Sequence, residues 1–158
     1  MTINLENYTR TDNPDGSVTF TPVKVSKRFV PKEGETFWYV FGYGEVQFSS
    51  WSESYSDKNH LALGNVYRTK EEAEKARDKQ LALVRIQNYI ADNELGKEFV
   101  EGERNYSIAR DHKEKVFFYD WWETYEQYTH LGYLKSPEAC TQVIENYKED
   151  LLIVFGKV

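Results

Sequence analysis

The chain is poor in the residues that build small chemical sites. It has a single cysteine, Cys140, in 158 residues, so no disulfide can form within it and we expect a reducing compartment. Its three histidines, at His60, His112 and His130, are far apart and share no predicted helix face. Without a second cysteine or a closely spaced histidine pair, neither a zinc finger nor an HExxH metal site is predicted.

Long apolar runs are absent as well. No run of about 18 apolar residues occurs, and the opening MTIN does not begin a secretory signal peptide, so we predict neither a membrane span nor export. Hydrophobic residues make up 40% of the chain and charged residues 29%, which is typical of a globular protein. The length fits one domain, or two small ones that share a core.

Positive charge is scarce in the second part of the chain. Residues 91–158 carry 14 acidic and 8 basic side chains, which accounts for the whole net charge of −6. Nucleic-acid affinity comes largely from Lys and Arg, so this balance disfavours a nucleic-acid surface there. The one local basic cluster consists of Lys24, Lys27, Arg28 and Lys32. A solvated strand or linker is its simplest interpretation.

Aromatic residues, by contrast, are abundant: the chain has 4 Trp, 12 Tyr and 9 Phe. Many fall in segments rich in aromatic and β-branched residues, such as 37–41 and 116–119, which are typical of strands. Capping signals at Thr69 and Ser136 predict two helices, the first of them ending near Ile90.

The two halves of the chain repeat the same order of elements. The two predicted caps, Thr69 and Ser136, are 67 positions apart, and each follows strand-like aromatic segments. We therefore predict an α+β fold, with antiparallel sheets from two duplicated β-β-β-α units and helices packed on one face. The predicted divisions are an N-terminal hairpin arm at 1–30, a first unit at 31–90, a linker at 91–104 and a second unit at 105–158.

Finer expectations concern single segments. Residues 49–59 read as a polar loop, and residues 151–155 as an apolar tail that docks on the core. Third strands are predicted at 63–67 and 128–134. The buried stripe of the first helix is predicted to hold Ala73, Ala76, Leu83, Val84 and Ile90, with Leu81 and Ile86 at its margins.

Candidate catalytic groups are few, and each has a simpler structural explanation. Cys140 lies near a predicted helix start, which can lower a thiol pKa, but a small buried apolar residue explains the position equally well. Glu123 and Glu126 flank aromatic residues, and they are the one acidic pair that neither capping nor a solvated turn explains. We predict a non-enzymatic protein with no catalytic residues, no metal site and no cofactor.

Consecutive aromatic residues supply the strongest functional hint. Neighbours in a strand point to opposite faces, so residues 117–119, or Trp121 with Trp122, cannot all enter one core. The predicted protein-interaction surface is Trp121, Trp122, Glu123, Tyr125 and Glu126. A structural alternative stays open, in which residues 91–104 cover one Trp ring and the acids only keep the protein in solution.

Several segments together resemble a family of uncharacterised phage and prophage proteins. They are KEGETFWYV at 32–40, LGNVYRTKEEAE at 63–74, NYSI at 105–108, VFFYD at 116–120, LKSPEA at 134–139 and the aromatic-Gly ending at 155–156. The resemblance covers about residues 31–156. It implies an accessory gene product of a bacteriophage or prophage that acts in the bacterial cytoplasm, and it assigns no catalytic residues.

The leading hypothesis is therefore a non-enzymatic phage accessory protein that binds another macromolecule, with a host defence or regulatory protein as the candidate partner. The alternative is a nucleic-acid-binding phage protein that uses an aromatic sheet face with the basic residues at 24, 27, 28 and 32, although no RNP1 pattern is present. A small hydrolase or nucleotide-binding inhibitor is a third class, because a small-ligand pocket needs no motif. The oligomeric state is not predicted.

Overall fold

A computed structural model describes residues 8–22, 28–124 and 129–156 of the chain. These residues form four helices and antiparallel sheets of two, two and four strands. The predicted α+β class is therefore confirmed. Of the described helices, none is both long enough and apolar enough to cross a membrane.

The N-terminal hairpin is present as predicted. Strand β1 (Tyr8–Asp12) pairs antiparallel with β2 (Val18–Pro22). Asn13 closes the turn, since its C=O accepts from the Gly16 N–H and its N–H donates to the Ser17 C=O. Gly16 adopts a φ of 81°, a left-handed conformation that costs glycine little, which explains the residue at that position.

The next sheet is a single hairpin of β3 (Thr36–Phe41) and β4 (Glu45–Ser50). The predicted third strand at 63–67 is reduced to one bridge, in which Trp38 and Tyr67 exchange both backbone hydrogen bonds. Beneath this sheet lies a small core of Phe37, Trp51 and Val66.

The expectation of a polar loop at 49–59 is wrong. Helix α1 (Tyr55–Ala62) begins there, because Ser54 and Asp57 form a reciprocal capping box. The Asp57 carboxylate also accepts from the N–H and hydroxyl of Ser52. Burial alone would raise the pKa of Asp57, but these hydrogen bonds outweigh burial and lower it. The short S-x-x-D signal was the clue in the sequence.

Helix α2 (Lys70–Asp92) begins at its predicted cap, where the Thr69 hydroxyl accepts from the Glu72 N–H at 3.2 Å. The predicted buried stripe is right in part: Ala73 and Ile90 are buried and Ala76 and Leu83 are half-buried, but Val84 is exposed and Ile86, predicted at the margin, is fully buried. The residues that are buried are Ala73, Ala82, Ile86 and Ile90, whereas Leu81 and Val84 are exposed. Helix α2 packs against β3 and β4 as well as against two later helices, so more than one of its faces is in contact.

The second sheet has four strands in the order β5-β8-β6-β7. The strands are β5 (Gly96–Lys97), β6 (Asn105–Asp111), β7 (Val116–Trp122) and β8 (Tyr133–Leu134). Strand β5 lies inside the segment that was predicted as a linker. Strand β8 is shorter than the predicted strand at 128–134, of which residue 128 is outside the described residues.

Helix α3 (Pro137–Asn146) packs on this sheet, and a further helix packs on α2 and α3. Helix α3 begins at the predicted cap, where the Ser136 hydroxyl accepts from the Ala139 N–H. The predicted apolar tail is helix α4 (Lys148–Phe155), and it docks on the core as expected. The main core consists of Ala82, Ile86, Ile90, Ile108, Leu131, Leu134, Ala139, Cys140, Val143, Leu151 and Val154.

Candidate functional site

The predicted aromatic surface lies at the end of β7, where three of its members can be described. The Trp121 ring is 42% exposed, and the guanidinium of Arg104 stacks on it at 4.8 Å from the ring centroid. Arg104 also forms an ion pair with Glu123, at 3.5 Å. The Tyr106 hydroxyl and the Glu123 carboxylate raise the pKa of this guanidinium, so Arg104 keeps its positive charge and pairs with the negative charge of Glu123.

This geometry gives Trp121 and Glu123 structural contacts of their own. Arg104 belongs to the segment 91–104, so that segment contacts the ring of Trp121 but leaves the residue 42% exposed. Trp122 is half-buried, and its C=O accepts from the side chain of Asn105. Tyr125 and Glu126 are outside the described residues. The five-residue surface stays a prediction.

The predicted basic cluster is described only in part. Lys24 and Lys27 are outside the described residues, while Arg28 and Lys32 have exposed side chains. The backbone N–H of Lys32 donates to the Glu35 carboxylate at 2.8 Å, within the turn that leads to β3. A nucleic-acid contact at these residues also stays a prediction.

Cys140 is buried without exposed surface in the main core. Burial raises the pKa of its thiol from an ordinary 9.0 to about 12, so the thiol is protonated at neutral pH. A protonated, inaccessible thiol cannot serve as a nucleophile. Within residues 8–22, 28–124 and 129–156, no group of three His, Cys, Asp or Glu side chains could hold a metal ion.

The raised pKa of Cys140 predicts a loss of stability in alkaline solution. Above pH 9 the unfolded chain releases the thiol proton, whereas the folded chain holds it until about pH 12, so unfolding is favoured as pH rises. Between pH 9 and 10 the wild type should lose about 1 kcal/mol more unfolding free energy than Cys140→Ala, because the unfolded thiol is already half ionised at pH 9. Urea melts of both proteins across this pH range measure the difference in unfolding free energy. If the unfolding free energies of the two proteins fall in parallel with pH, the prediction is contradicted.

A different surface forms a concave site in the first sheet. We call it the hairpin groove: a hollow of about 420 Å³ between the β3–β4 turn, the segment after α1, and α2. Large apolar side chains stand exposed around it, and they are Phe41, Tyr43, Leu63, Leu81 and Val84.

Two of these side chains are exposed because of the backbone structure around them. Tyr43 is 98% exposed at the tip of the turn, before Gly44, whose φ of 84° favours glycine. Leu63 is 81% exposed and caps the end of α1, where its N–H donates to the Asn59 C=O. Backbone hydrogen bonds of Gly44 and Leu63 hold the main chain at these two positions.

The floor of the hairpin groove is polar and well ordered. The Asn65 side chain accepts from the Val40 N–H and donates to the Val40 C=O, both at 2.8 Å, which ties β3 to the segment after α1. Burial raises the pKa of the Tyr67 hydroxyl. Arg77 donates twice to the Asp78 carboxylate, so its charge is neutralised beside the groove.

Sequence reasoning missed the hairpin groove. It assigned Val84 to the buried stripe of α2 and Leu81 to the margin of that stripe. The exposure of these side chains depends on how α2 is rotated against the sheet, and one sequence carries no direct signal for that rotation. No protein-family model, no curated protein and no solved structure matches this chain.

Proposed function

We propose that the chain is a non-enzymatic binding protein that holds an apolar segment of another protein in its hairpin groove. The observation that carries the proposal is the ring of five exposed large apolar side chains around a preformed hollow. Single exposed apolar residues are common on proteins, but a contiguous patch with a polar floor is typical of an interaction surface.

The charge of the groove indicates what the partner contributes. Among the described residues that line the hollow, Arg77 is the one that is charged, and Asp78 already neutralises it. An acidic partner would therefore gain little, whereas aliphatic or aromatic side chains would bury the rim. The α2 wall from Arg77 to Val84 is about 10 Å long, which matches two turns of a helix.

The biological setting is part of the same proposal. We place the protein among bacteriophage or prophage accessory proteins and its partner in the bacterial host. The support for this setting is the resemblance of residues 31–156 to that family. The absence of a reactive thiol at Cys140 supports the non-enzymatic part.

Removing the two most exposed rim residues tests the groove. The variant Tyr43→Ser/Leu63→Ser should weaken partner binding about tenfold or more, because buried aromatic and aliphatic anchors dominate interfaces. Its melting temperature should barely change, since both side chains are exposed. Tyr55→Ser is the matched control, because Tyr55 is 83% exposed but does not line the groove.

The measurement has two stages. Immobilised wild-type protein first retains partners from nuclease-treated bacterial lysate, and the purified partner is then titrated against each variant. Equal affinity for wild type and double variant would exclude the groove, and Trp121→Ala would then test the aromatic surface. A ligand that is lost on nuclease treatment and released by salt would favour the nucleic-acid alternative.

A further inference from the structure

Strand β7 is the outer strand of the four-stranded sheet, and it is rich in exposed aromatic side chains. Among the described residues it pairs only with β6. Its exposed large apolar residues are Val116, Phe118, Tyr119 and Trp121. An exposed apolar edge strand is a template for pairing with another strand.

The backbone hydrogen bonds of the neighbouring strands show which β7 groups face the open edge. The Lys135 N–H donates to the Leu95 C=O at 2.9 Å, so the backbone groups of Lys135 point towards β5. Successive residues of a strand point their backbone groups to opposite sides, so those of the preceding residue, Leu134, point towards β6. Leu134 pairs there with Tyr106. The backbone groups of Tyr106 therefore point away from β7, and those of its β7 partner, Trp121, point to the open edge.

This orientation recurs at every second residue, so the backbone groups of Phe117 and Tyr119 also point to the open edge. The Trp121 N–H is already capped, because it donates to the Asp120 carboxylate at 2.8 Å. Phe117 and Tyr119 thus offer two donors and two acceptors for a further strand.

A hollow beside these two residues provides room for side chains. It measures about 570 Å³ and lies between β7 and α3, with Thr141, Ile144 and Glu145 on the helix side. The cross-strand partner of Tyr119 is the core residue Ile108, so Tyr119 and Phe117 point to the same face as the helices. A strand added at this edge would place its own side chains into that hollow.

We propose that the added strand is β7 of a second copy of this chain, paired antiparallel across a two-fold axis at Phe118. In this register Phe117 of each copy pairs with Tyr119 of the other, which forms four backbone hydrogen bonds. The two Phe118 rings lie directly opposite each other. The aromatic side chains of the second copy occupy the hollow between β7 and α3.

Symmetry favours a second copy as the occupant, and charge selects the register. A two-fold axis pairs identical strands antiparallel without requiring a complementary sequence. An axis at Asp120 would set two carboxylates opposite each other, which is unfavourable. The axis at Phe118 instead sets Asp120 opposite the apolar Val116 of the second copy. In this register the hydrogen bond from the Trp121 N–H to the Asp120 carboxylate is kept.

Opposite charges at position 118 test this register. Sedimentation equilibrium should show a dimer for wild type, and about 100-fold weaker association for Phe118→Lys or Phe118→Asp alone, because like charges then face each other. Mixing the two variants should restore a dimer, since unlike charges then meet. Phe48→Lys is the matched control: Phe48 is 65% exposed on strand β4, and the dimer should persist.

A second pair of variants distinguishes a weaker dimer from a misfolded chain. Val116→Lys places an ammonium group opposite the second copy's Asp120 and should keep or tighten the dimer, whereas Val116→Asp should loosen it. A wild type that is still monomeric at about 1 mM would overturn the proposal. Unweakened dimers in both Phe118 variants, or no recovery on mixing, would equally overturn it. The groove variants should leave dimerisation unchanged, so failure of one proposal leaves the other standing.

Discussion

Replacing Leu151 by alanine is expected to lower the free energy of unfolding by about 3–4 kcal/mol, which is the usual range for a fully buried leucine. Leu151 has no exposed surface and lies on α4, the helix that packs most extensively against α2. Leu151 belongs to the main core, together with Ile86 of α2 and Ile108 of β6. A cavity therefore remains, in addition to the lost apolar burial.

The adjacent Leu152 is the matched control for this prediction. It is half-buried on the same helix, so Leu152→Ala makes the same chemical change with a smaller loss of burial. We expect a cost of about 1 kcal/mol for it. Urea unfolding followed by circular dichroism measures both values. Equal costs for the two variants would contradict the packing of α4 on the core.

The placement of α4 also shows how far the sequence alone leads. The run at 151–155 could be assigned to the core from its composition, and the caps Thr69 and Ser136 located both long helices from local chemistry. Local signals suffice because a cap bonds to amides only a few residues away. The phase of α2 was predictable only in part, because both the first sheet and two later helices pack against it.

The candidate sites show the same contrast between local features, which the sequence predicts, and contacts between distant segments, which it does not. The surplus of aromatic residues at 117–122 correctly indicated that some rings of β7 are exposed. The Arg104 contact on Trp121 joins residues from different strands and loops, so the sequence alone could not predict it. The hairpin groove is likewise assembled from β3, the segment after α1, and α2, which come together only in the folded chain.

Two asparagines illustrate a structural role that composition does not reveal. Asn65 binds the N–H and the C=O of Val40, and Asn105 binds the N–H and the C=O of Val100. In each case an amide side chain takes the place of a missing strand neighbour. Asn105 has no exposed surface, so its hydrogen bonds are far more costly to lose.

Substitution of Asn105 by aspartate is expected to destabilise the fold by about 3 kcal/mol at neutral pH. The Asn105 amide nitrogen donates to three carbonyl oxygens, those of Val100, Glu103 and Trp122, at 2.8, 2.7 and 2.9 Å. Asp has nearly the same shape as Asn, so packing is preserved. Its second carboxylate oxygen, however, would face these three acceptors without a proton.

The pH dependence of this variant separates lost donation from lost packing. The three carbonyls disfavour a carboxylate, so the pKa of the introduced Asp should be raised in the folded state above its unfolded value of about 3.9. The destabilisation relative to wild type should then shrink as pH falls, because protonation restores one O–H donor. Asn105→Leu should show the same loss at every pH, since it has no proton to gain. Urea melts of wild type and both variants at pH 4.5 and at pH 7, about 2.5 pH units apart, measure the difference. If the destabilisation of Asn105→Asp does not change with pH, the amide donor is not what holds residues 100–105 to β7.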